Sequence, residues 1–216
     1  MYTIAARFLY GILLLLGFFF VFLMGKTTLP YLSFRYDVDF LLTKQNVLHL
    51  SAWRVAFYTH ITSSLLVLLA GIIQLVKPVL VYYPRVHRQL GKMYVLLILL
   101  VSAPSGLVMA VYANGGFWAK ISFVLISLLW WYFTWVAFRK AVQGDFTRHK
   151  QFMYRSFALT LSAITLRTYV WVLPLFAHWH GLHGREMYVW VAWLSWVPNL
   201  FFVELVLFWR NRVVRG

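Results

Sequence analysis

The chain is written in long apolar blocks separated by short polar ones. Six apolar runs stand out, at approximately 4–25, 55–77, 92–113, 116–138, 151–176 and 188–209. A hydrocarbon core of ~30 Å is crossed by about 20 residues of helix, and each run is long enough. The pattern predicts an all-α integral membrane protein with six transmembrane helices. Helices 2–5 are expected to form an up-down four-helix core, because short connections make consecutive helices antiparallel neighbours. Little chain remains for a soluble domain, so residues 1–216 read as one multi-pass membrane domain. The first run could be taken for a signal peptide, but its apolar stretch from Leu9 to Met24 is long and no A-x-A site follows before Lys26, so it reads as a membrane helix. The longest connection, 27–54, holds Pro30, Asp37, Asp39, His49 and several aromatics. It is expected to fold as a lid, to lie amphipathically on the bilayer, or to be a plain interfacial loop.

Composition agrees with the pattern: 62% hydrophobic, 12% charged, mean hydropathy +0.75. The net charge of +15 raises the question of nucleic acid. The position of the charges answers it. Basic residues mostly flank apolar runs, as topology signals do, so the expected partner is the lipid bilayer and no nucleic acid. With the N-terminus inside, 13 Lys and Arg fall on the inner side, 6 on the outer side, and Arg167 between them. Both termini are therefore expected in the cytoplasm. Cysteine is absent, which excludes disulfides and thiolate ligation of metal or haem.

The polar residues inside the runs carry the candidate chemistry. In HKQFMYRSFALTLSAITLR (149–167), at roughly 100° per residue, Ser156, Thr160 and Arg167 fall within about 20° of His149. Arg155 lies on another face. An arginine in the apolar core costs at least ~2.5 kcal/mol and should face protein or trapped water. Helix 2 has a second stripe of His60, Ser63, Ser64, Gly71 and Gln74, and His60 and Arg167 are at depths that let them share an outer-leaflet site. Helix 3 carries SAPSGLVMA (102–110), where Pro104 and Gly106 predict a kink and Ser102 and Ser105 can satisfy the freed backbone. In helix 6, Asn199 and Glu204 are polar, and Glu204 is expected to pair with Arg155.

Two inner loops, VHRQLGKMY and RHKQFMY, each place a histidine just before an upward helix. His87 and His149 therefore start helices 3 and 5, parallel helices on one diagonal of the core. A helix N-terminus favours neutral imidazole, the ligating form. Such a pair can hold one haem b iron, with Arg88, Lys150 and Arg155 near its propionates. His178, His180 and His183, in HWHGLH, form an interfacial cluster with weak metal-binding spacing.

The strings HRQLGKMY (87–94), PSGLVMA (104–110), residues 144–167, and WLSWVPNL (193–200) with Glu204 resemble a bacterial multi-pass membrane family, domain of unknown function 2306. The resemblance covers roughly 55–205. It implies a multi-helix bacterial membrane protein, here expected in the inner membrane, whose motif positions are His60, His87, Gly91, Ser105, Gly106, His149, Met153, Arg155, Ser156, Arg167 and Asn199. A more distant likeness is to cytochrome b561-type haem bundles, which also set histidines across diagonal helix pairs. Helix 4 has no histidine to partner His60, so at most one haem is expected, with His60 used differently. The functions consistent with these residues are haem binding for electron transfer or haem handling, transport of a small anionic or lipid-like solute, and non-catalytic membrane assembly.

Overall fold

The computed structural model describes residues 4–180 and 184–213. Six candidate spans run over Arg7–Ser33, Ser51–Leu75, Pro84–Val111, Phe117–Val142, Phe146–Leu175 and Gly184–Arg212. Large apolar side chains such as Phe22, Leu100, Trp171 and Phe201 cover the outside, while Ser63, Ser102, Ser122, Thr134, Ser156, Thr160 and Ser195 are buried inside. That distribution suits a lipid surround, where the apolar solvent lies outside and small hydroxyl residues let helices approach closely.

Helix α1 (Ile4–Thr28) lies against α2 (Ser51–Leu75). Met24 packs with Leu68 and Ile72 there. Tyr10 ties the far end: its hydroxyl donates to Leu75 O at 2.7 Å and accepts from Lys77 N at 2.9 Å. These backbone groups are orphaned where α2 ends and the short α3 (Lys77–Tyr82) begins. The third span is built from α4 (Pro84–Leu97), a π-helical turn (Ile98–Ser102) and α5 (Ala103–Val111). The expected kink is thus a π turn placed just before Pro104. The fourth span is α6 (Phe117–Val142), entered through Gly115 and Gly116 at φ 84° and 81°. Those backbone angles disfavour residues with a Cβ.

The fifth and sixth spans are each interrupted, a feature that their continuous apolar pattern does not signal. α7 (Phe146–Thr160) gives way at Leu161 to α8 (Ser162–His180), and α9 (Gly184–Leu194) gives way at Ser195 and Trp196 to α10 (Val197–Val213). The two interruptions face each other. Thr165 donates to Ser195 O across them, and Asn199 Nδ2 donates to Ser195 O at 3.2 Å and Thr165 Oγ1 at 3.1 Å. Pro198 explains the second break, since it has no N–H to continue the ladder.

Helices 2, 3, 4 and 5 close into a ring in chain order, with helix 2 also meeting helix 5. Helices 3 and 5 therefore sit on a diagonal, as expected for an up-down four-helix core. Helix 1 is added beside helix 2, and helix 6 beside helices 4 and 5. Six antiparallel spans bring the first and last helix ends to one side, here the terminal side; the opposite side is the cap side.

The 27–54 connection is a folded cap. Two 3-10 turns, Leu29–Ser33 and Asp39–Lys44, place Tyr31, Leu41, Val47 and Leu48 against Trp53 and Phe57 at the top of α2. Its anchor is Lys44, 2% exposed, whose Nζ donates to Tyr112 O at 2.6 Å and Asn114 Oδ1 at 2.7 Å. Burial, with the charge of Lys120 second, lowers its pKa from 10.5 to about 8.

Candidate functional site

Both loop histidines belong to helices. Pro84 starts α4, and Asp145 caps α7 by accepting from Arg148 N at 3.0 Å, so each helix begins before its apolar run does. His87 and His149 consequently occupy the same place, in the first turn of α4 and of α7. They are close enough to interact electrostatically. His149 Nδ1 donates to Ala137 O at 2.9 Å, which leaves its Nε2 as the nitrogen with a lone pair. His87 Nδ1 is buried and has no hydrogen-bond partner among the described residues. Its backbone is held instead: Gln74 Nε2 donates to His87 O at 2.7 Å.

The interior above this pair is filled. One heptad further along the same two helices, roughly 10 Å of rise, Tyr94 meets Ser156 and Thr160. The Tyr94 hydroxyl is 3.0 Å from Ser156 Oγ and 2.8 Å from Thr160 Oγ1. Trp130 Nε1 donates to Thr160 Oγ1 at 3.1 Å, and Thr134 Oγ1 is 2.7 Å from Ser156 Oγ. Thr134 donates its own proton to Trp130 O at 2.7 Å, so Ser156 donates to Thr134. Every hydroxyl finds a partner, and the cluster binds helices 3, 4 and 5 together. Of the predicted stripe on helix 5, Ser156 and Thr160 share a face, and both are engaged in holding the bundle.

Arg155 forms a two-pronged ion pair with Glu204, at 2.5 and 2.8 Å, which is the pairing expected from sequence. Its charge is matched there, so of the three basic residues expected near haem propionates only Arg88 and Lys150 stand outside that pair, both exposed. Asn199 bridges the interruptions of helices 5 and 6. The side chains of the HWHGLH cluster lie outside the described residues.

A second polar cluster sits toward the cap side. His60 Nδ1 donates to Ser102 O at 2.8 Å, a carbonyl of the π turn. Ser105 Oγ lies 3.5 Å from the same nitrogen, and Ser64 Oγ lies 3.5 Å from Nε2. Ser102 donates to Ser63 Oγ at 2.7 Å. The ring lies over Gly106, where an added Cβ would come within 2.9 Å of His60 Cε1. Arg167, partly buried, interacts electrostatically with both His60 and Tyr31 of the cap. Its one hydrogen bond among the described residues is from Nη1 to Ala163 O at 3.0 Å. Arg167 thus lies within electrostatic range of His60 and of Tyr31, a residue that the sequence pattern does not single out, with no hydrogen bond to either among the described residues.

Tyr94, Thr134 and Trp130 are likewise absent from the sequence-based candidates. Tyr94 had a signal: it follows His87 by seven residues as Ser156 follows His149, so all four point along one diagonal. Thr134 and Trp130 had none, since a lone threonine and a tryptophan among several look like ordinary span residues.

His87 and His149 lie within electrostatic range of one another, His87 has a buried ring nitrogen without a hydrogen-bond partner among the described residues, and Arg88 follows it in the chain, a donor set that fits a bis-imidazole haem. Among the described residues no group of three His, Cys, Asp or Glu forms a metal cluster. No curated protein and no solved structure matches the chain. A family model does, over residues 57–207, which takes in helices 2 to 6 and every motif position named above, and the chain accordingly belongs to the family described as predicted membrane protein, DUF2306.

Proposed function

We propose that this protein binds one haem b at the terminal side of its four-helix core and serves electron transfer or haem handling in the bacterial inner membrane. On this reading the terminal side faces the cytoplasm, following the 13-to-6 distribution of Lys and Arg across the two sides. The observation that carries it is the buried, unpartnered Nδ1 of His87 beside His149. A buried polar atom without a partner costs about 1–3 kcal/mol. A histidine that directs its other nitrogen to a metal and this one to a fixed water or propionate removes that cost.

His87 and His149 would hold the iron, and a haem so held supplies one-electron redox chemistry. The chain's own residues do the rest. Ala137 O fixes the tautomer of His149. Gln74 fixes the first turn of α4 through His87 O. Arg88 and Lys150 supply positive charge at the membrane surface. The hydroxyl cluster around Tyr94 closes the core immediately above, which keeps the group at the end of the bundle. His60 has no part in this site, being committed to Ser102 and Gly106. The test is haem content of protein purified from haem-replete cells. One haem per chain is expected, lost in His87→Ala and in His149→Ala and kept in His60→Ala.

A further inference from the structure

The chain has five acids, and none of them answers Arg167. Asp37 pairs with Arg35, Asp145 with Arg148, and Glu204 with Arg155. Asp39 and Glu186 are exposed and form no ion pair among the described residues. Arg167 lies eight residues inside the end of its span at Leu175, roughly 12 Å of helix. At that depth a cation with no counter-charge is costly, and such residues face a ligand, a pathway or one another. A guanidinium has five N–H donors, and among the described residues one is used, on Ala163 O.

The neighbours define what the remaining donors could hold. His60 gives its Nδ1 proton to Ser102 O, so Nε2 is an acceptor, with Ser64 Oγ at the long distance of 3.5 Å. Tyr31 accepts from Phe40 N at 3.2 Å, which leaves its hydroxyl proton to give. The cluster therefore offers a planar cationic fork, a phenol donor and an imidazole acceptor. Above it the cap is closed by an apolar cluster that includes Tyr31, Leu41, Trp53 and Phe57, and Lys44 fastens the cap to the 3–4 turn. Arg167 is only partly buried on a membrane-spanning helix, so its exposed side faces lipid.

We propose that Arg167, His60 and Tyr31 form a binding site for the oxyanion head, carboxylate or phosphate, of a membrane-borne amphiphile. The fork of Arg167 takes two oxygens of the head, the geometry for which arginine is suited. Tyr31 donates to the same head, and His60 accepts from a hydroxyl or protonated oxygen on it. The site stands on observations separate from the haem reading and does not depend on it.

The test uses the full chain in neutral nanodiscs, titrated with sodium oleate, dioleoyl phosphatidate, oleyl alcohol or inorganic phosphate, with thermal stability and native mass spectrometry as readouts. Oleate or phosphatidate is expected to bind and raise the melting temperature, and oleyl alcohol and free phosphate are not. The more effective of oleate and phosphatidate identifies the head. Arg167→Gln should weaken binding by about tenfold or more, as loss of a charged hydrogen bond does, and Arg167→Lys should recover part of it. Haem content should stay at the wild-type level in both. If oleyl alcohol binds as well as oleate, or free phosphate as well as phosphatidate, the proposal fails. Because those comparisons use the wild-type protein, they decide the matter even where Arg167→Gln does not fold.

Discussion

Replacing Lys44 by Met and following cap stability against pH separates the anchoring role of this lysine from simple packing. In the folded protein Lys44 loses its proton near pH 8, against 10.5 for an ordinary lysine. Between those values the unfolded cap binds more protons than the folded one, so stability rises with pH; below about 8 both forms are protonated and the slope vanishes. At ~1.4 kcal/mol per pKa unit, the wild-type cap gains up to about 3 kcal/mol across that window. At pH 7 the variant avoids burying an ammonium but loses two charge-assisted hydrogen bonds, worth about 1.5–3 kcal/mol each. A small net loss is expected there, and it should widen steadily above pH 8. Hydrogen exchange of the cap amides, corrected for intrinsic rate, measures the opening equilibrium in both proteins. Taking wild type minus variant removes the titration of tyrosines and other lysines. Parallel wild-type and variant curves from pH 7 to 10 would refute both the buried ammonium and its role as the cap's anchor.

Other expectations follow from the packing. Gly71→Ala places a Cβ 2.6 Å from Phe157 Cε2 and 3.1 Å from Tyr94, so it should destabilise the bundle by about 1–3 kcal/mol in a detergent or denaturant melt. Tyr94→Phe removes one hydroxyl from a cluster whose other members keep partners, so the same melt should show a loss of about 1 kcal/mol or less. Glu204→Gln leaves Arg155 without its partner. Because Glu204 lies eight residues inside the end of its span at Arg212, the cost should exceed the roughly 0–1 kcal/mol of a surface pair and change little with added salt.

The helical bundle was legible because apolar runs of span length admit few folds, and short connections fix the ring of helices 2 to 5. The boundaries were less so. α4 and α7 start well before their apolar runs, since a proline at the first position and an aspartate cap act on the backbone without changing hydropathy. The interruptions at Leu161 and at Ser195–Trp196 were hidden for a similar reason. Only their joint satisfaction by Thr165 and Asn199 makes them stable, and that depends on two helices meeting. Helical angle grouped Ser156 with Thr160, which meet at Tyr94, and charge placement pointed to the pairing of Arg155 with Glu204. Angle does not distinguish a hydroxyl that locks a core from one that meets a ligand. That distinction required seeing Tyr94, Thr134 and Trp130 close around Ser156 and Thr160 while Arg167 remained without a counter-charge.

Ligation of one haem by His87 and His149 is tested most directly by the ultraviolet–visible spectrum of the purified protein. Protein from haem-replete cells is expected to show a Soret band with b-type visible bands on reduction, at one haem per chain, absent from His87→Ala and His149→Ala. A folded, monodisperse wild-type preparation without a Soret band would contradict it.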